Sequence, residues 1–168
     1  MPPPGITLRP ITEDDAELLF RIYASTRTEE LSVVPWSEAQ KEAFLRMQFR
    51  AQHTHYRAHT PNADFLVVLK EGTPAGRLYL DRREDVLHII DIALLPEARG
   101  TGIGGALLSE IIEEARASGR VVRIHVERQN RARHLYDRLG FRNVADDGGV
   151  YLLMEWSPPP APRGDDVS

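Results

Sequence analysis

A glycine-rich stretch is the part of this sequence best suited to binding an anion. It reads RGTGIGG over residues 99–105 and separates a strand-like apolar run from a helix-like run. The first N–H groups of a helix lack partners within the helix, and the helix dipole adds positive charge there. Glycines also let a phosphate approach the main chain closely. The stretch therefore predicts a phosphate-binding loop, and a glycine-rich turn that binds nothing is the alternative.

The same letters satisfy the dinucleotide fingerprint G-x-G-x-x-G from Gly100 to Gly105. In a dinucleotide-binding fold the strand runs almost directly into the first glycine, and the motif belongs to the first strand–helix unit. Here PEAR intervenes at 96–99, and the remaining chain leaves room for few further units. Glu127 has the spacing of a ribose-binding acid, so spacing alone does not reject a dinucleotide. A P-loop is disfavoured because no Lys-Ser or Lys-Thr follows the glycines.

Three polar side chains in largely apolar runs are candidates for proton transfer. Asp91 interrupts VLHIIDIALL, where an unpaired carboxylate is costly, so it needs a polar partner or a polar pocket. His125 lies on the polar side of VVRIHVE, and histidine titrates near neutral pH, which suits a base. Tyr136 lies on the apolar face of a short predicted helix, where a core aromatic is the competing interpretation. Asp91 and His125 have structural alternatives of equal weight.

Hydrophobic periodicity predicts the elements that position these residues. A capping box of Ser37 and Gln40 starts a helix whose apolar stripe is predicted at Phe44, Met47 and Ala51. The predicted element order is β-α-α-β-β-β-α-β-α-β-β. This order predicts an α/β (α+β) fold with a mixed, mostly antiparallel sheet of six to seven strands, helices on both faces and a central parallel crossover. The predicted strands lie at 6–11, 65–69, 75–80, 86–95 and 121–127, and in FRNVA and VYLLMEW.

Composition limits the class of protein. The 168 residues suit one domain, expected over 6–156, with Pro-rich disordered flanks at 1–5 and 157–168. The formal charge of −4 argues against a nucleic-acid partner, and no apolar run is long enough for a membrane span. A cytoplasmic location is therefore expected. Metal binding is not expected, because no carboxylate completes a site beside the clustered histidines His53, His55 and His59.

Three segments of the chain resemble motifs of the GNAT superfamily of N-acetyltransferases. The pattern Arg99-x-x-Gly102-x-Gly104 is similar to its acyl-CoA pyrophosphate loop, and IALLPEARGTGIGGALL is similar to its central motif. NRARHLYDRLGF is similar to the segment that contains the family's catalytic tyrosine, and LRPITEDDAELL is similar to a common family opening. The resemblance extends over roughly residues 6–156.

The resemblance implies an enzyme that transfers an acetyl group from acetyl-CoA to the primary amine of a small molecule or peptide, without a metal. It also implies Tyr136 as the general acid, and a homodimer, which is common in the family. Gln129 occupies the position where the family more often has asparagine, so either Gln129 or Asn130 is the implied contact. The implied cofactor-binding residues are Ile92, Ala93, Leu94, Arg99, Gly100, Thr101, Gly102, Ile103, Gly104, Gly105, Gln129, Asn130, Arg133 and Tyr136.

The residue types suit acyl transfer from a thioester. An alkyl amine with a pKa of about 10.4 is protonated at neutral pH, so a base such as Asp91 or His125 is useful. A tyrosine with a pKa of about 10 can protonate a thiolate whose own pKa is about 8.5. The chain has no cysteine to carry an acyl group, so direct transfer is expected. The alternatives are a non-catalytic acyl-CoA-binding domain on the same fold and a dinucleotide-binding oxidoreductase.

Overall fold

The computed structural model describes residues 5–146 and 148–160. These residues divide into two compact units. The first unit contains the described residues up to Asp81 together with Ile89–Leu108, and the second contains Arg82–His88 and the described residues from Ser109 onward. The parts of the predicted flanks at 1–4 and 161–168 lie outside the described residues.

Seven strands form the sheet in the described part of the chain. Their order is β1-β2-β3-β4-β5-β7-β6. The pairs β1–β2, β2–β3, β5–β7 and β6–β7 are antiparallel, and the sheet also contains a parallel pair, so the predicted mixed fold is confirmed. The strands are β1 (Ile6–Pro10), β2 (Asp64–Lys70), β3 (Thr73–Arg82), β4 (Val86–Leu94), β5 (Val121–Glu127), β6 (Arg142–Asp146) and β7 (Tyr151–Trp156).

Helices α1 (Ala16–Ser25), α2 (Thr28–Ser32) and α3 (Glu38–His59) belong to the first unit. A 3-10 turn at Glu13–Asp15 precedes α1, and the Thr12 N–H donates to the Asp15 carboxylate at 2.8 Å. Leu19 and Ile22 of α1 pack on Leu95, just beyond the end of β4. The short helix α2 was not anticipated from the sequence, because five residues carry too little periodicity to be recognised.

The start of α3 was predicted correctly, but its inward face was not. The Ser37 hydroxyl accepts from the Gln40 N–H, and the Gln40 side chain accepts from the Ser37 N–H. Met47 is 59% exposed and Ala51 is also exposed, whereas Leu45 is buried. The prediction of an apolar stripe through Met47 and Ala51 is therefore wrong. The inward face carries polar residues that reach partners on other elements, so hydrophobicity alone does not reveal it.

The second unit contains β5, β6 and β7, the later turns of α4 (Ile103–Ser118), and α5 (Arg133–Arg138). Ile124 and Val126 of β5 are buried while Arg123 and His125 are exposed, which confirms the predicted alternation. Ile111, Ile112 and Ala115 form the predicted buried face of α4. None of the helices in the described part of the chain combines the length and the hydropathy of a membrane span.

Candidate functional site

The glycine loop has the geometry that its sequence predicts. A 3-10 turn at Pro96–Ala98 follows β4, and α4 begins at Ile103. Gly100 and Gly102 have φ angles of 73° and 87°, in the left-handed region that favours glycine. At both positions, the space that a Cβ would take is open for 4 Å around. The loop therefore holds a backbone shape that other residues adopt only with strain and leaves room beside the main chain.

The first turn of α4 offers N–H groups to an anion. The first helical hydrogen bond of the turn runs from the Ala106 N–H to the Gly102 carbonyl at 3.0 Å, so the N–H groups just before it are not used within the helix. Ile103 is 3% exposed and packs inward, so it presents only its main chain. The Thr101 hydroxyl donates to the Ala98 carbonyl at 2.6 Å, which stabilises the turn. These features fit a diphosphate group.

The end of β4 depends on a close contact with Gly76 of β3. A Cβ on Gly76 would lie 2.2 Å from the Ala93 carbonyl oxygen and 2.9 Å from the Leu94 Cα. Only a residue without a side chain fits this approach. The Leu95 N–H donates to the Ala75 carbonyl at 2.8 Å, so β3 still pairs with the chain just beyond Leu94. The main chain at Ile92–Leu94 is therefore placed by β3.

A buried ion pair joins β3 to β4. The Arg77 Nε donates to the Asp91 carboxylate at 2.5 Å, and an Arg77 terminal nitrogen donates to the Gln52 side-chain oxygen at 3.0 Å. The Arg77 side chain is 3% exposed, and that of Asp91 is 25% exposed. Asp91 thus has the polar partner that its apolar strand required, and it also retains an open side. Arg77 and Gln52 were missed in the sequence, although an Arg within one apolar strand and an Asp within the next are a recognisable signal.

Aromatic rings surround this ion pair. The Arg77 guanidinium lies 4.9 Å from the centre of the Tyr79 ring, and burial is the main cause of the raised pKa of Tyr79. The Tyr79 hydroxyl is buried, and no described residue gives it a hydrogen bond of ordinary geometry. Burial is the largest single influence on the pKa of Arg77 and lowers it, but the charge of Asp91, its hydrogen bond and the neighbouring tyrosines together outweigh burial, so the pKa is raised. On α3, burial and then the positive charges of Arg57 and Arg77 lower the pKa of His53.

The predicted general acid Tyr136 belongs to the second unit. It lies in α5, is 3% exposed, and packs edge-on against Phe141 at 5.5 Å between ring centres. The Asn130 side chain accepts from the Ala132 N–H at 2.8 Å and so caps the approach to α5, while Gln129 is exposed. One nitrogen of Arg133 donates to the Arg128 carbonyl at 2.8 Å, and its buried Nε has no partner among the described residues.

His125 lies on the exposed face of β5. Its ring centre is 5.7 Å from that of His88, and in the sheet it is opposite Leu153 of β7. The sequence therefore placed His125 on the correct face of its strand. Among the residues that the structure describes, no three histidine or acidic side chains are grouped closely enough to hold a metal ion.

The first unit brings together Asp91, the β4 main chain and the glycine loop, all of which were sequence predictions. The second unit brings together Tyr136, Asn130 and Arg133. A sequence model of the acetyltransferase (GNAT) family matches residues 19–141, which include both sets. The chain belongs to the GNAT acetyltransferase family. The expected family, fold class and acetyltransferase class are thereby confirmed, and the dinucleotide alternative is not supported.

Curated relatives and solved structures agree with this assignment. The chain is 26% identical over 144 residues to an uncharacterized N-acetyltransferase of Methanocaldococcus jannaschii, covering 80% of this chain and 60% of the relative's length. It is 27% identical over 151 residues to a putative ribosomal protein bS18-alanine N-acetyltransferase of Bacillus subtilis, covering 85% of this chain and 89% of that protein. The PaiA N-acetyltransferase of Thermoplasma acidophilum, crystallised with coenzyme A, shares the fold with a TM-score of 0.67, 23% identity and coverage of 90% and 98%.

Proposed function

We propose that this chain transfers an acetyl group from acetyl-CoA directly to the primary amine of a small molecule or peptide. The observation that carries the proposal is the glycine loop, whose two left-handed glycines precede unused N–H groups at the start of α4. When bound, acetyl-CoA supplies a thioester carbon that an amine can attack. A chain without cysteine is consistent with transfer that needs no acyl-enzyme.

The donor would be held mainly by main-chain groups. The N–H groups of Gly100–Gly105 would bind the pyrophosphate, because the helix dipole and the free donors both favour negative charge there. The main chain of Ile92–Leu94 would pair with the pantetheine arm as an added strand does. An N–H in this segment would also stabilise negative charge on the thioester oxygen.

Asp91 would contact the acceptor amine. The Asp91 side chain is a quarter exposed, whereas its partner Arg77 is buried. A ligand can therefore reach the Asp91 carboxylate but not the Arg77 guanidinium. The pair as a whole is close to neutral, so Asp91 would orient the amine without creating a strongly acidic pocket. His125, which is exposed on β5, is the alternative proton acceptor.

Tyr136 would protonate the departing thiolate. A phenol with the ordinary pKa of about 10 holds its proton at neutral pH, and its transfer to the thiolate of a thiol with a pKa of about 8.5 is uphill by about 2 kcal/mol, so the proton moves as the C–S bond breaks. We therefore expect Tyr136→Phe to reduce the turnover of acetyl-CoA by roughly tenfold to a hundredfold, with little change in the affinity for coenzyme A.

Thiol release from acetyl-CoA in the presence of an amine panel tests the proposal. The panel should include amino acids, polyamines and short peptides with free N-termini, because membership of the family does not determine the acceptor amine. Wild type and Tyr136→Phe are compared at saturating acetyl-CoA, with binding measured separately by calorimetry. Tight coenzyme A binding with no thiol release for any amine would instead favour the non-catalytic acyl-CoA-binding alternative. Association of two chains, which the family resemblance implies, is checked by sedimentation.

A further inference from the structure

Arg99 has a use in this chain that its place in the loop motif does not suggest. Its side chain does not extend into the loop but bonds to two other segments of the first unit. The Arg99 Nε donates to the Leu94 carbonyl at 3.1 Å. A terminal nitrogen donates to the Ser25 carbonyl at 3.3 Å and to the Ser25 hydroxyl at 3.2 Å. One guanidinium thus joins the end of β4, the glycine loop and the last residue of α1.

The end of α1 depends on this distant donor. The last carbonyls of a helix have no partner within it, and they must be satisfied from elsewhere. The carbonyls of Ile22, Tyr23 and Ala24 accept from nearby donors, which are hydroxyls at positions 25, 26 and 28 and main-chain N–H groups at 26 and 27. The Ser25 carbonyl instead receives a hydrogen bond from Arg99, 74 positions later. The Ser25 hydroxyl, which accepts from Arg99, in turn donates to the Ile22 carbonyl at 2.7 Å. The positive charge of Arg99 also faces the negative end of the α1 dipole.

We propose that Arg99 is a positioning residue that couples occupancy of the glycine loop to the order of residues 26–37, the segment between α1 and α3. This inference rests on the proposed function, because it takes the loop as the coenzyme A site. A ligand that immobilises the loop main chain also immobilises the Cα of Arg99. Its contacts with Ser25 then cost less conformational entropy, and the end of α1 becomes more ordered. By linkage, order in residues 26–37 strengthens coenzyme A binding by the same factor.

Residues 26–37 have the features of a segment whose order can change when coenzyme A binds. They begin at the helix end that Arg99 holds, and they contain the short helix α2 and two exposed apolar side chains. Val33 is 84% exposed and Trp36 is 41% exposed, while the Trp36 ring packs on Phe44 of α3 at 5.2 Å. A segment with few buried side chains orders easily when one of its ends is fixed.

Hydrogen exchange of the full chain with and without saturating coenzyme A tests this coupling. In the wild type, coenzyme A should slow exchange both in the loop and in residues 26–37. In Arg99→Met the loop should remain protected, while protection of residues 26–37 should fall by about tenfold, the effect of losing one charge-assisted hydrogen bond. Ser25→Ala removes the hydroxyl and its contacts with Arg99 and the Ile22 carbonyl, but it keeps the bond from Arg99 to the Ser25 carbonyl, so it should show a smaller loss in the same segment.

Arg21→Gln is the matched control. Arg21 of α1 pairs with Glu97 beside the loop at 3.4 Å, but both side chains are about two-thirds exposed, and such pairs contribute little. Arg21→Gln should therefore keep the wild-type protection of residues 26–37. Unchanged protection there in Arg99→Met would overturn the coupling, as would a protected loop with unprotected residues 26–37 in the wild type. If coenzyme A protects the loop in the wild type but not in Arg99→Met, Arg99 is a direct ligand, and this result would also overturn the coupling. An unprotected loop in the wild type would refute the proposed function itself.

Discussion

Replacement of Asp91 by asparagine should destabilise the protein substantially, because it leaves a buried cation without its counter-charge. The side chain of Arg77 is 3% exposed, so water cannot replace the lost carboxylate. Removal of one partner from a buried ion pair costs about 3–5 kcal/mol. The asparagine oxygen can still accept the hydrogen bond from the Arg77 Nε, so we expect Asp91→Asn to lose about 3 kcal/mol, at the lower end of that range.

Replacement of Arg77 should lower the free energy of unfolding by less than replacement of Asp91. Arg77→Met removes the buried charge and keeps most of the volume, and the remaining Asp91 is a quarter exposed and can be hydrated. The Gln52 oxygen loses its donor, however, so we expect a loss of about 2 kcal/mol. The double variant contains no uncompensated charge. The stability that the double variant loses should therefore be smaller than the sum of the two single losses by at least about 1 kcal/mol.

Urea unfolding at neutral pH, followed by circular dichroism, measures all three variants. Glu114→Gln is the control. Glu114 pairs with Arg82 at 2.7 Å and with Arg120 at 3.3 Å, and the side chains of Glu114 and Arg82 are 34% and 42% exposed, so water can replace the lost charge. Its loss should stay below about 1 kcal/mol. A cost for Asp91→Asn no larger than that of Glu114→Gln, or strictly additive losses in the double variant, would refute the argument that the pair is buried and coupled.

Three further predictions concern the loop, the β3–β4 contact and acid stability. Gly102→Ala should weaken coenzyme A binding in calorimetry and lower stability by about 1–2 kcal/mol. Gly72→Ala is the control: Gly72 has a similar φ of 81° in a hairpin turn, so its replacement should lower stability equally without affecting binding. Gly76→Ala should lower stability by about 2 kcal/mol in urea unfolding, since its Cβ meets β4 main chain, and an unchanged midpoint would contradict that clash. A hydrogen bond from Arg9 lowers the pKa of Asp15 to about 2, so Asp15 stabilises the fold above pH 4 and this contribution is lost as the pH falls from about 4 to 2. Asp15→Asn should flatten that part of the stability profile, and an unaltered acid slope would refute the assignment.

Features of the chain that depend on neighbouring residues were predictable from the sequence. The capping box at Ser37 and Gln40, the alternation of β5 and the buried face of α4 each follow from residue types within a few positions. The glycine loop belongs to the same class, because left-handed glycines and a helix start are local requirements. The element order and the fold class therefore agree with expectation, apart from the short helix α2.

Features that depend on which elements become neighbours were not predictable. The sequence indicated that Asp91 needs a partner and offered Arg77 in the preceding strand as a candidate, but only the structure shows that these two side chains meet. The inward face of α3 was missed for a related reason. Its half-buried Gln52 accepts a hydrogen bond from Arg77, so a polar residue lies where hydrophobic periodicity expects an apolar one.

The sequence by itself determined the chemistry that this protein can offer: a diphosphate-binding loop, an acid in an apolar strand, and a tyrosine on a short helix. These depend on backbone preferences and side-chain types that act over a few residues. Only the tertiary structure decided how the acid and Arg99 are used, since the partner of Asp91 is 14 positions away and Ser25 lies 74 positions from Arg99. A hydrogen bond needs its two atoms within about 3 Å, and across such sequence separations only the packing of strands and helices determines which atoms meet.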